Sequence, residues 1–345
     1  MTRAVVATAY GGAEVLEVAD VELPAPREGE VLVAMRAAAY NPADWKIYGG
    51  LWGADLAALP RRVGLEGAGV VRAVAPDVTR FAVGDEVVVH PAGGSFAEAV
   101  LVREGALEHK PAGLAWEKAA GLLLAGTTAW HALEAVGLGA DDGNRALDDV
   151  PDRGTRELDD ATDGGNRALD AGSAAGPILL VHGGAGGVGA VVVQLAVARG
   201  VRVIATSGPA NKEYVRSLGA EPVRYGDGLA GRVRALAGSG ITAAIDTVGT
   251  EEAIDVSVEL VPRERIATVA GLEYGAQLGV KLLGHGPGMD PGREVRAAAR
   301  VPLLELAAAG VVDVRIADVF PLDRVREAHE LIRSGHARGK VVLVP

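Results

Sequence analysis

The residues best placed to support chemistry form the glycine pattern Gly184-Ala-Gly186-Gly-Val-Gly189. In such a pattern the first glycine permits a tight turn, the second lets the backbone approach a pyrophosphate, and the third allows close helix–strand packing. The apolar run 177–182 precedes it and the helix-compatible stretch 188–199 overlaps its end, which is the context the pattern requires. The alternative is a glycine-rich turn between buried strands. We predict a dinucleotide site at a helix N-terminus, with backbone contacts from Gly184, Ala185, Gly186, Gly187, Val188 and Gly189.

Residues after the next apolar run, 201–207, indicate which dinucleotide is preferred. An NAD site usually carries an acid there that accepts from the ribose 2′-hydroxyl, and this chain has none before Glu213. The hydroxyl of Ser207 can donate to a 2′-phosphate and Lys212 can pair with it. Tyr225 follows the next strand and can complete the pocket together with its neighbour Arg224. The sequence therefore favours NADPH, the alternative for Lys212 being an ordinary solvated helix residue.

Residue types also limit the metal and thiol chemistry of the chain. It has no cysteine, which excludes disulfides, thiol catalysis and zinc sites built on thiolates. Its seven histidines are scattered without the spacing of metal ligands. For His182, directly before the glycine pattern, we expect packing or support of the loop. We predict no metal site.

Composition excludes further classes of protein. The length of 345 residues suits two domains, at roughly 150 residues per domain. The formal net charge of −11 argues against a nucleic-acid surface, which needs a basic stripe. The most apolar stretch, 177–205, contains charged residues and glycines, so it does not suit a membrane span, and no signal peptide is evident. We expect an acidic cytoplasmic protein that binds neither nucleic acid nor membrane.

Two kinds of secondary structure must position these groups. Up to about residue 125, short Val-rich runs such as 30–36 and 86–91 are separated by Gly and Pro turns, which predicts a compact β domain. From 176 to about 300, apolar runs alternate with helix-compatible stretches, a pattern typical of a parallel sheet with helices on both faces. A further helix is predicted over 301–310. The predicted fold class is α/β.

A tandem repeat separates the two patterns. Its three 11-residue units are 143–153, 154–164 and 165–175, and each offers one leucine among glycines and aspartates. Such units bury too little apolar surface to offset their ordering entropy. Residues 141–175 also hold ten acids and four arginines, which accounts for −6 of the −11 net charge. We predict a flexible acidic insertion over 143–175, with a docking segment as the alternative.

Eight motifs cover nearly the whole chain apart from the repeat. They are the segments 41–44, 64–72, 83–88, 94–100, 124–134, 180–199, 246–249 and 339–344. In type and order they resemble the zinc-free medium-chain dehydrogenases/reductases of the quinone oxidoreductase (zeta-crystallin-like) group. The resemblance implies a GroES-like β domain and a doubly wound Rossmann domain, with the active site in the cleft between them. We expect the first domain at 1–125 with 301–345 and the second at 126–300, interrupted by the insertion.

The resemblance also implies roles for individual residues. Zinc-dependent relatives carry Cys, His and Cys at positions that align with Asn41, Leu65 and Leu124, and leucine cannot ligate a metal. Metal-free transfer of hydride is therefore implied. Asn41 and Thr128 would contact the nicotinamide end. The ring would be flanked by Ala270 and Gly271, and Val248 is a further candidate for binding the cofactor.

The proton donor is left open by the sequence. Lys46 and Tyr48 follow the Asn-Pro-Ala-Asp motif closely and are the candidates, although many relatives carry Tyr at the position of Lys46. Solvent is the alternative donor, and a packing role is the alternative for Tyr48. Trp45 and Trp52 are candidates for an apolar wall of the substrate site.

The implied activity is NADPH-dependent reduction of a small-molecule quinone or α,β-unsaturated carbonyl, which accept hydride without a metal. Two alternatives remain at this stage. One is an NADPH-binding structural or regulatory protein with low turnover, and the other is an enoyl reductase of a biosynthetic pathway. The resemblance further implies a homodimer joined near residues 279–285.

Overall fold

The computed structural model describes residues 1–139, 176–238 and 240–345. The predicted insertion at 143–175 lies outside these residues. The chain groups into two compact units, the first formed by residues 1–131, 185–192 and 291–345, the second by residues 132–184 and 193–290. Among the described residues, no helix is long and apolar enough to cross a membrane.

The first unit is built on β-sheets. Its strands are β1 (Thr2–Ala7), β2 (Leu16–Val21), β3 (Glu30–Tyr40), β4 (Arg61–Arg62), β5 (Gly67–Val74), β6 (Glu86–Val89), β7 (Ala99–Arg103) and β8 (Leu107–His109). The second unit contributes β9 (Ile178–His182), β10 (Arg202–Ser207), β11 (Glu221–Arg224), β12 (Ala243–Asp246), β13 (Ile266–Thr268) and β14 (Lys281–Leu282). The final strands, β15 (Ile316–Pro321) and β16 (Lys340–Val344), return to the first unit.

Eleven α-helices occur in the described parts of the chain. In chain order they are α1 (Pro42–Tyr48), α2 (Trp116–Ala120), α3 (Leu123–Ala135), α4 (Gly187–Ala198), α5 (Lys212–Ser217), α6 (Leu229–Ala237), α7 (Glu251–Leu260), α8 (Leu272–Leu278), α9 (Arg293–Ala298), α10 (Arg300–Ala308) and α11 (Val325–Arg333). The predicted helices over 188–199 and 301–310 are confirmed as α4 and α10.

Strand β3 organises the core of the first unit. It pairs with β5, β7 and β16, all antiparallel, in a seven-stranded sheet ordered β15-β16-β3-β5-β6-β8 with β7 also on β3. Val31, Val33 and Met35 alternate with more exposed neighbours along β3, so one face of its first half packs into the core. A second sheet of three strands has the order β2-β1-β4.

The second unit holds the predicted parallel sheet, with strand order β11-β10-β9-β12-β13-β14. All five residues of β9 are buried, as expected for a central strand covered on both faces. β9 pairs with β10 on one side and β12 on the other, so the strand order reverses beside it. Ligands of open α/β sheets bind outside the carboxyl ends of the strands at such a point. The glycine pattern begins there, directly after β9.

Candidate cofactor and substrate site

The loop after β9 is tied to the end of β10. The N–H of Gly183 donates to Thr206 Oγ1 at 2.9 Å, and the N–H of Gly184 donates to the Thr206 carbonyl at 3.0 Å. A Cβ on Gly184 would lie 2.6 Å from the Ala205 Cβ, so this approach of loop to strand requires glycine. Gly186 is exposed and α4 begins at Gly187. The first N–H groups of that helix have no intrahelical acceptor, which suits them to bind a pyrophosphate.

Hydroxyl groups and one cation gather at the end of β10. Ser207, its last residue, is buried. The exposed Tyr225, just past β11, places its hydroxyl 3.4 Å from where a Cβ of Gly208 would be. Lys212 begins α5 and is exposed. The first acid, Glu213, is engaged by Arg216 at 2.5 Å. The expected residues thus occur in one region of the second unit, without an unpaired carboxylate at the strand end.

Asp246, the last residue of β12, organises the turn that follows it. Its side chain is fully buried, and its Oδ1 accepts from the N–H groups of Val248 at 2.9 Å and Gly249 at 3.0 Å. Gly249 has φ +83°, a conformation that favours glycine. A Cβ there would lie 2.8 Å from the carbonyl carbon of Ala270. The turn carrying Val248, which is half exposed, therefore lies directly against residue 270.

Thr268 extends this arrangement to the neighbouring strand. Its hydroxyl donates to Asp246 Oδ2 at 2.7 Å and accepts from the N–H groups of Ala270 at 3.2 Å and Gly271 at 3.0 Å. Those two N–H groups are drawn to the hydroxyl, and β13 ends at Thr268 rather than continuing along the apolar run to residue 272. The two residues expected to flank the nicotinamide, Ala270 and Gly271, and the cofactor-binding candidate Val248 are thereby held by one buried carboxylate and one hydroxyl.

In the first unit, Asn41 belongs to a buried charged network. Its Nδ2 donates to the Ala39 carbonyl at 3.1 Å and to Glu66 Oε1 at 3.0 Å, and its Oδ1 accepts from Lys340 Nζ. Lys340 Nζ also pairs with Glu66 Oε1 at 2.8 Å, and Glu66 Oε2 accepts from the Leu124 N–H at 2.8 Å. Glu66 is fully buried. Both amide protons of Asn41 are committed, so toward a cofactor or substrate its side chain can act only as an acceptor.

Lys340 connects this network to the glycine pattern. A Cβ on Gly187 would lie 3.5 Å from Lys340 Cδ, so the lysine stem passes beside the first residue of α4. Sequence reasoning did not single out Lys340 or Glu66. The available signal was a charged residue at the start of the apolar run 340–344, and another between glycines in the motif 64–72. Burial of such charges requires a partner, but the sequence does not show that they meet.

Asp44 lies buried in the first turn of α1. Its Oδ2 accepts from the N–H of Asn41 at 2.8 Å, the reciprocal half of a helix cap, and Pro42 occupies the first helical position. Its Oδ1 is buried without a hydrogen-bond partner. Burial, opposed by the bond from Asn41 and reinforced by the negative charge of Glu66, raises the pKa of Asp44 to about 7. Asp44 therefore caps the start of α1.

The remaining catalytic candidates differ in their surroundings. Lys46 Nζ lies 6.0 Å from the ring centroids of both Trp45 and Trp52, and burial lowers its pKa. The hydroxyl of Thr128 donates to the Leu124 carbonyl at 2.7 Å and accepts from Arg296 Nη1 at 3.1 Å. Lys46 and Trp52 are partly or largely exposed, so both remain accessible to a substrate.

Tyr48, the other candidate proton donor, is buried. Its side chain is 1% exposed, belongs to the core of the first unit, and directs its hydroxyl to Tyr40 and to His329 Nδ1. The two buried residues of α1 are Asp44 and Tyr48, so the expectation that the Tyr48 hydroxyl reaches a substrate is corrected. The alternative, a packing role, describes the residue.

No group of three or more His, Cys, Asp or Glu side chains that could hold a metal occurs in the described ranges. Leu65 and Leu124 carry no donor atoms, and the amide of Asn41 is already engaged. The donor set therefore does not fit zinc. His182 Nε2 lies 3.1 Å from Ser257 Oγ, and burial lowers the pKa of His182 to about 4, so this histidine is neutral and supports the core.

Comparisons with known proteins bear on this geometry. Residues 27–133 match the family described as alcohol dehydrogenase GroES-like domain, and residues 218–343 match the family described as zinc-binding dehydrogenase. The chain is 31% identical to a quinone oxidoreductase of Pseudomonas aeruginosa, with all of both chains covered. It is 27% identical to quinone oxidoreductase 1 of Escherichia coli, with 97% of each chain covered.

Solved structures agree with these matches. A mycobacterial protein complexed with NADPH superimposes with a TM-score of 0.78 at 27% identity, covering all of both chains. A quinone oxidoreductase of Pseudomonas syringae pv. Tomato superimposes with a TM-score of 0.76 at 27% identity, again covering all of both chains. The predicted fold class, a GroES-like β domain with a parallel-sheet Rossmann domain, is confirmed.

Proposed function

We propose, from the premise that this chain belongs to the quinone oxidoreductase group of the medium-chain dehydrogenases/reductases, that it is an NADPH-dependent reductase of quinones or α,β-unsaturated carbonyls. The observation that carries the proposal is the end of β10. There Ser207, Lys212 and Tyr225 provide two hydroxyls and a cation, while the nearby Glu213 is paired with Arg216. Two hydroxyl donors and a cation suit a 2′-phosphate, and the one nearby carboxylate is already paired. The relative solved with NADPH supports the same cofactor.

The described residues fit a bound dinucleotide. The loop 183–187 leads into the start of α4 and exposes Gly186 there, as close approach of a pyrophosphate requires. When bound, NADPH supplies a hydride. The turns around Val248 and Gly271 would orient the ring, because Asp246 and Thr268 fix their backbones. Asn41 can accept a hydrogen bond through Oδ1 and is held in place by Glu66 and Lys340.

The reaction balances without a Lewis acid. A quinone takes up one hydride and one proton to become a hydroquinone, and an activated alkene takes up the same pair across its double bond. Both acceptors are electrophilic enough that the protein need only orient them and deliver a proton. Lys46, between Trp45 and Trp52 and with a pKa lowered by burial, is our candidate donor at this position. Solvent is the competing source.

Absorbance of the reduced nicotinamide, followed with a panel of quinones and enones, tests the activity. We expect NADPH oxidation above background with at least one acceptor and a lower KM for NADPH than for NADH. If NADPH binds but no acceptor in the panel is consumed, the reductase proposal fails and a binding protein with low turnover is favoured. A solvent deuterium effect on the rate that Lys46→Met abolishes would support Lys46 as the proton donor. An effect that is the same in Lys46→Met would assign the proton to solvent.

A matched pair of glycine variants tests the site itself. Gly184→Ala inserts a Cβ that meets Ala205 at 2.6 Å and should weaken NADPH binding by displacing the loop. Gly231→Ala, in α6, adds a Cβ with nothing within 4 Å and should leave binding unchanged. Equal effects of both variants would show that the loop does not hold the cofactor.

The same proposal includes the domain limits, 1–125 with 301–345 for the first domain and 126–300 for the second. It also includes a homodimer joined near residues 279–285.

A further inference from the structure

A cavity of about 230 Å³ lies in the first unit, on the side of α1 that faces α11. Three of its lining residues are glycines, so backbone atoms form much of its wall. The others are an indole, a leucine, an imidazole and a guanidinium. The lining consists of Gly11, Gly12, Gly49, Trp45, Leu51, His329 and Arg333. None of the residues proposed above to bind NADPH is among them.

His329 lines this cavity, and its Nδ1 is occupied by two tyrosine hydroxyls. Its Nδ1 lies 3.1 Å from the Tyr40 hydroxyl and also bonds the Tyr48 hydroxyl. Burial raises the pKa of both phenols, so both keep their protons. Burial and the neighbouring Arg333 charge lower the pKa of His329, against smaller opposing effects of Glu14 and Glu330. A neutral imidazole that accepts at Nδ1 carries its proton on Nε2.

That Nε2–H group has no hydrogen-bond partner among residues 1–139, 176–238 and 240–345. The side chain nevertheless belongs to a residue that is only 6% exposed and that lines the cavity. An acceptor in the cavity would give this ring nitrogen a hydrogen-bond partner. His329 thus lines a space large enough for a small molecule, and the ring nitrogen that the two tyrosines leave unoccupied is Nε2.

Arg333 adds a positive charge at the same cavity. Its guanidinium carbon lies 4.4 Å from the centroid of the Trp45 ring, which holds it by a cation–π contact at the cavity wall. No carboxylate lines the cavity. Glu14, two residues from Gly12, is committed through Oε1 to the N–H of Gly12 at 2.8 Å, and Glu330, next to His329 in the sequence, is exposed. The cavity therefore presents a cation and a neutral N–H donor together with two apolar surfaces, Trp45 and Leu51.

We propose that this cavity is a binding site for a small aromatic monocarboxylate, with its carboxylate on Arg333 and His329 Nε2–H and its ring against Trp45 and Leu51. Two N–H groups match the two oxygens of one carboxylate. The apolar wall disfavours a free phosphate, which would need more donors than the lining offers. The volume lies below the 300–1,000 Å³ typical of drug-sized ligands, which suits a single ring. The site shares Trp45 with the surroundings of Lys46 but contains none of the residues proposed to bind NADPH, and it does not depend on the proposed reductase activity.

Isothermal titration with benzoate tests the site, with benzamide as the neutral ligand of the same shape and inorganic phosphate as the competing anion. We expect benzoate to bind at least tenfold more tightly than either. Arg333→Gln should weaken benzoate binding at least fivefold. Arg338→Gln, a change of the same charge at another exposed arginine five residues on, should change it less than twofold. The proposal is overturned if both variants behave alike or if benzamide or phosphate binds as well as benzoate.

Two further measurements separate this site from the proposed active site. Benzoate affinity should be the same with and without saturating NADPH, and competition between them would place benzoate in the cofactor site instead. The ¹⁵N resonance of His329 Nε2 should shift on addition of benzoate, and a silent Nε2 would refute the contact. Because His329 also holds two tyrosines, Arg333→Gln is the primary variant and needs no change in the core.

Discussion

Replacement of Lys340 by methionine should strongly destabilise the first unit. Glu66 is fully buried, and its nearest cation is the Lys340 ammonium at 2.8 Å. Methionine keeps the unbranched stem beside Gly187 but leaves the carboxylate with only the neutral donors of Asn41 and Leu124. Removing one partner of a buried ion pair costs about 3–5 kcal/mol because an uncompensated charge remains. We therefore expect Lys340→Met to lower the free energy of unfolding by about that amount.

A double-mutant cycle with Glu66→Gln isolates the charge effect. The pair Glu66→Gln with Lys340→Met removes both charges and keeps the side-chain volumes. Replacing a buried pair in this way is often neutral, so the double variant should be more stable than Lys340→Met alone. We expect a coupling energy of about 2–4 kcal/mol, above the roughly 0.5 kcal/mol at which distant sites are additive.

Tryptophan fluorescence in urea is the appropriate assay. All four tryptophans (Trp45, Trp52, Trp116 and Trp130) belong to the first unit, so their emission reports on the part of the chain that contains the network. Circular dichroism on the same samples follows both units, which need not unfold together. A decrease in the free energy of unfolding below about 1 kcal/mol for Lys340→Met would refute our interpretation of the network. A double variant less stable than Lys340→Met would refute it as well.

Substitutions at three further positions test the site. The pKa of Asp44 is raised from 3.8 to about 7 in the folded chain, so the native state binds the proton more tightly and stability should fall as pH rises from 4 to 7, by up to about 4 kcal/mol. Asp44→Asn should remove this slope, and unfolding curves that keep it would assign the slope to another group. Thr268→Val removes a buried hydroxyl that accepts two N–H groups, so it should lower the free energy of unfolding by about 1–3 kcal/mol and raise the NADPH dissociation constant. Thr268→Ser keeps the hydroxyl and should keep both the stability and the affinity for NADPH. A serine variant as impaired as the valine variant would show that the methyl group matters instead. Lys212→Ala should raise the KM for NADPH about tenfold, since a charge-assisted contact contributes ~1.5–3 kcal/mol, with little change for NADH, and equal effects on both cofactors would exclude Lys212 from a 2′-phosphate site.

Local sequence determined much of the second unit. The glycine pattern, the continuous apolar run of β9 and the helix-compatible stretch after it are short-range signals, and α4 and the parallel sheet formed where they indicated. The missing acid at the end of β10 was likewise readable directly. In such segments backbone propensity and side-chain periodicity favour the same structure, so few distant contacts are needed to identify it.

Only the tertiary structure decided how the chemistry of the first unit is arranged. Asn41, Glu66 and Lys340 come from positions up to 299 residues apart and meet because β16 pairs with the end of β3. The sequence allows the Tyr48 side chain to face a substrate, yet the structure buries it against Tyr40 and against His329, which is 281 residues away. Burial of a charge or a hydroxyl depends on which distant groups cover and satisfy it, and that depends on long-range pairing, which no local pattern contains. The sequence by itself therefore determined the kind of site, while the tertiary structure decided which side chains hold it in place.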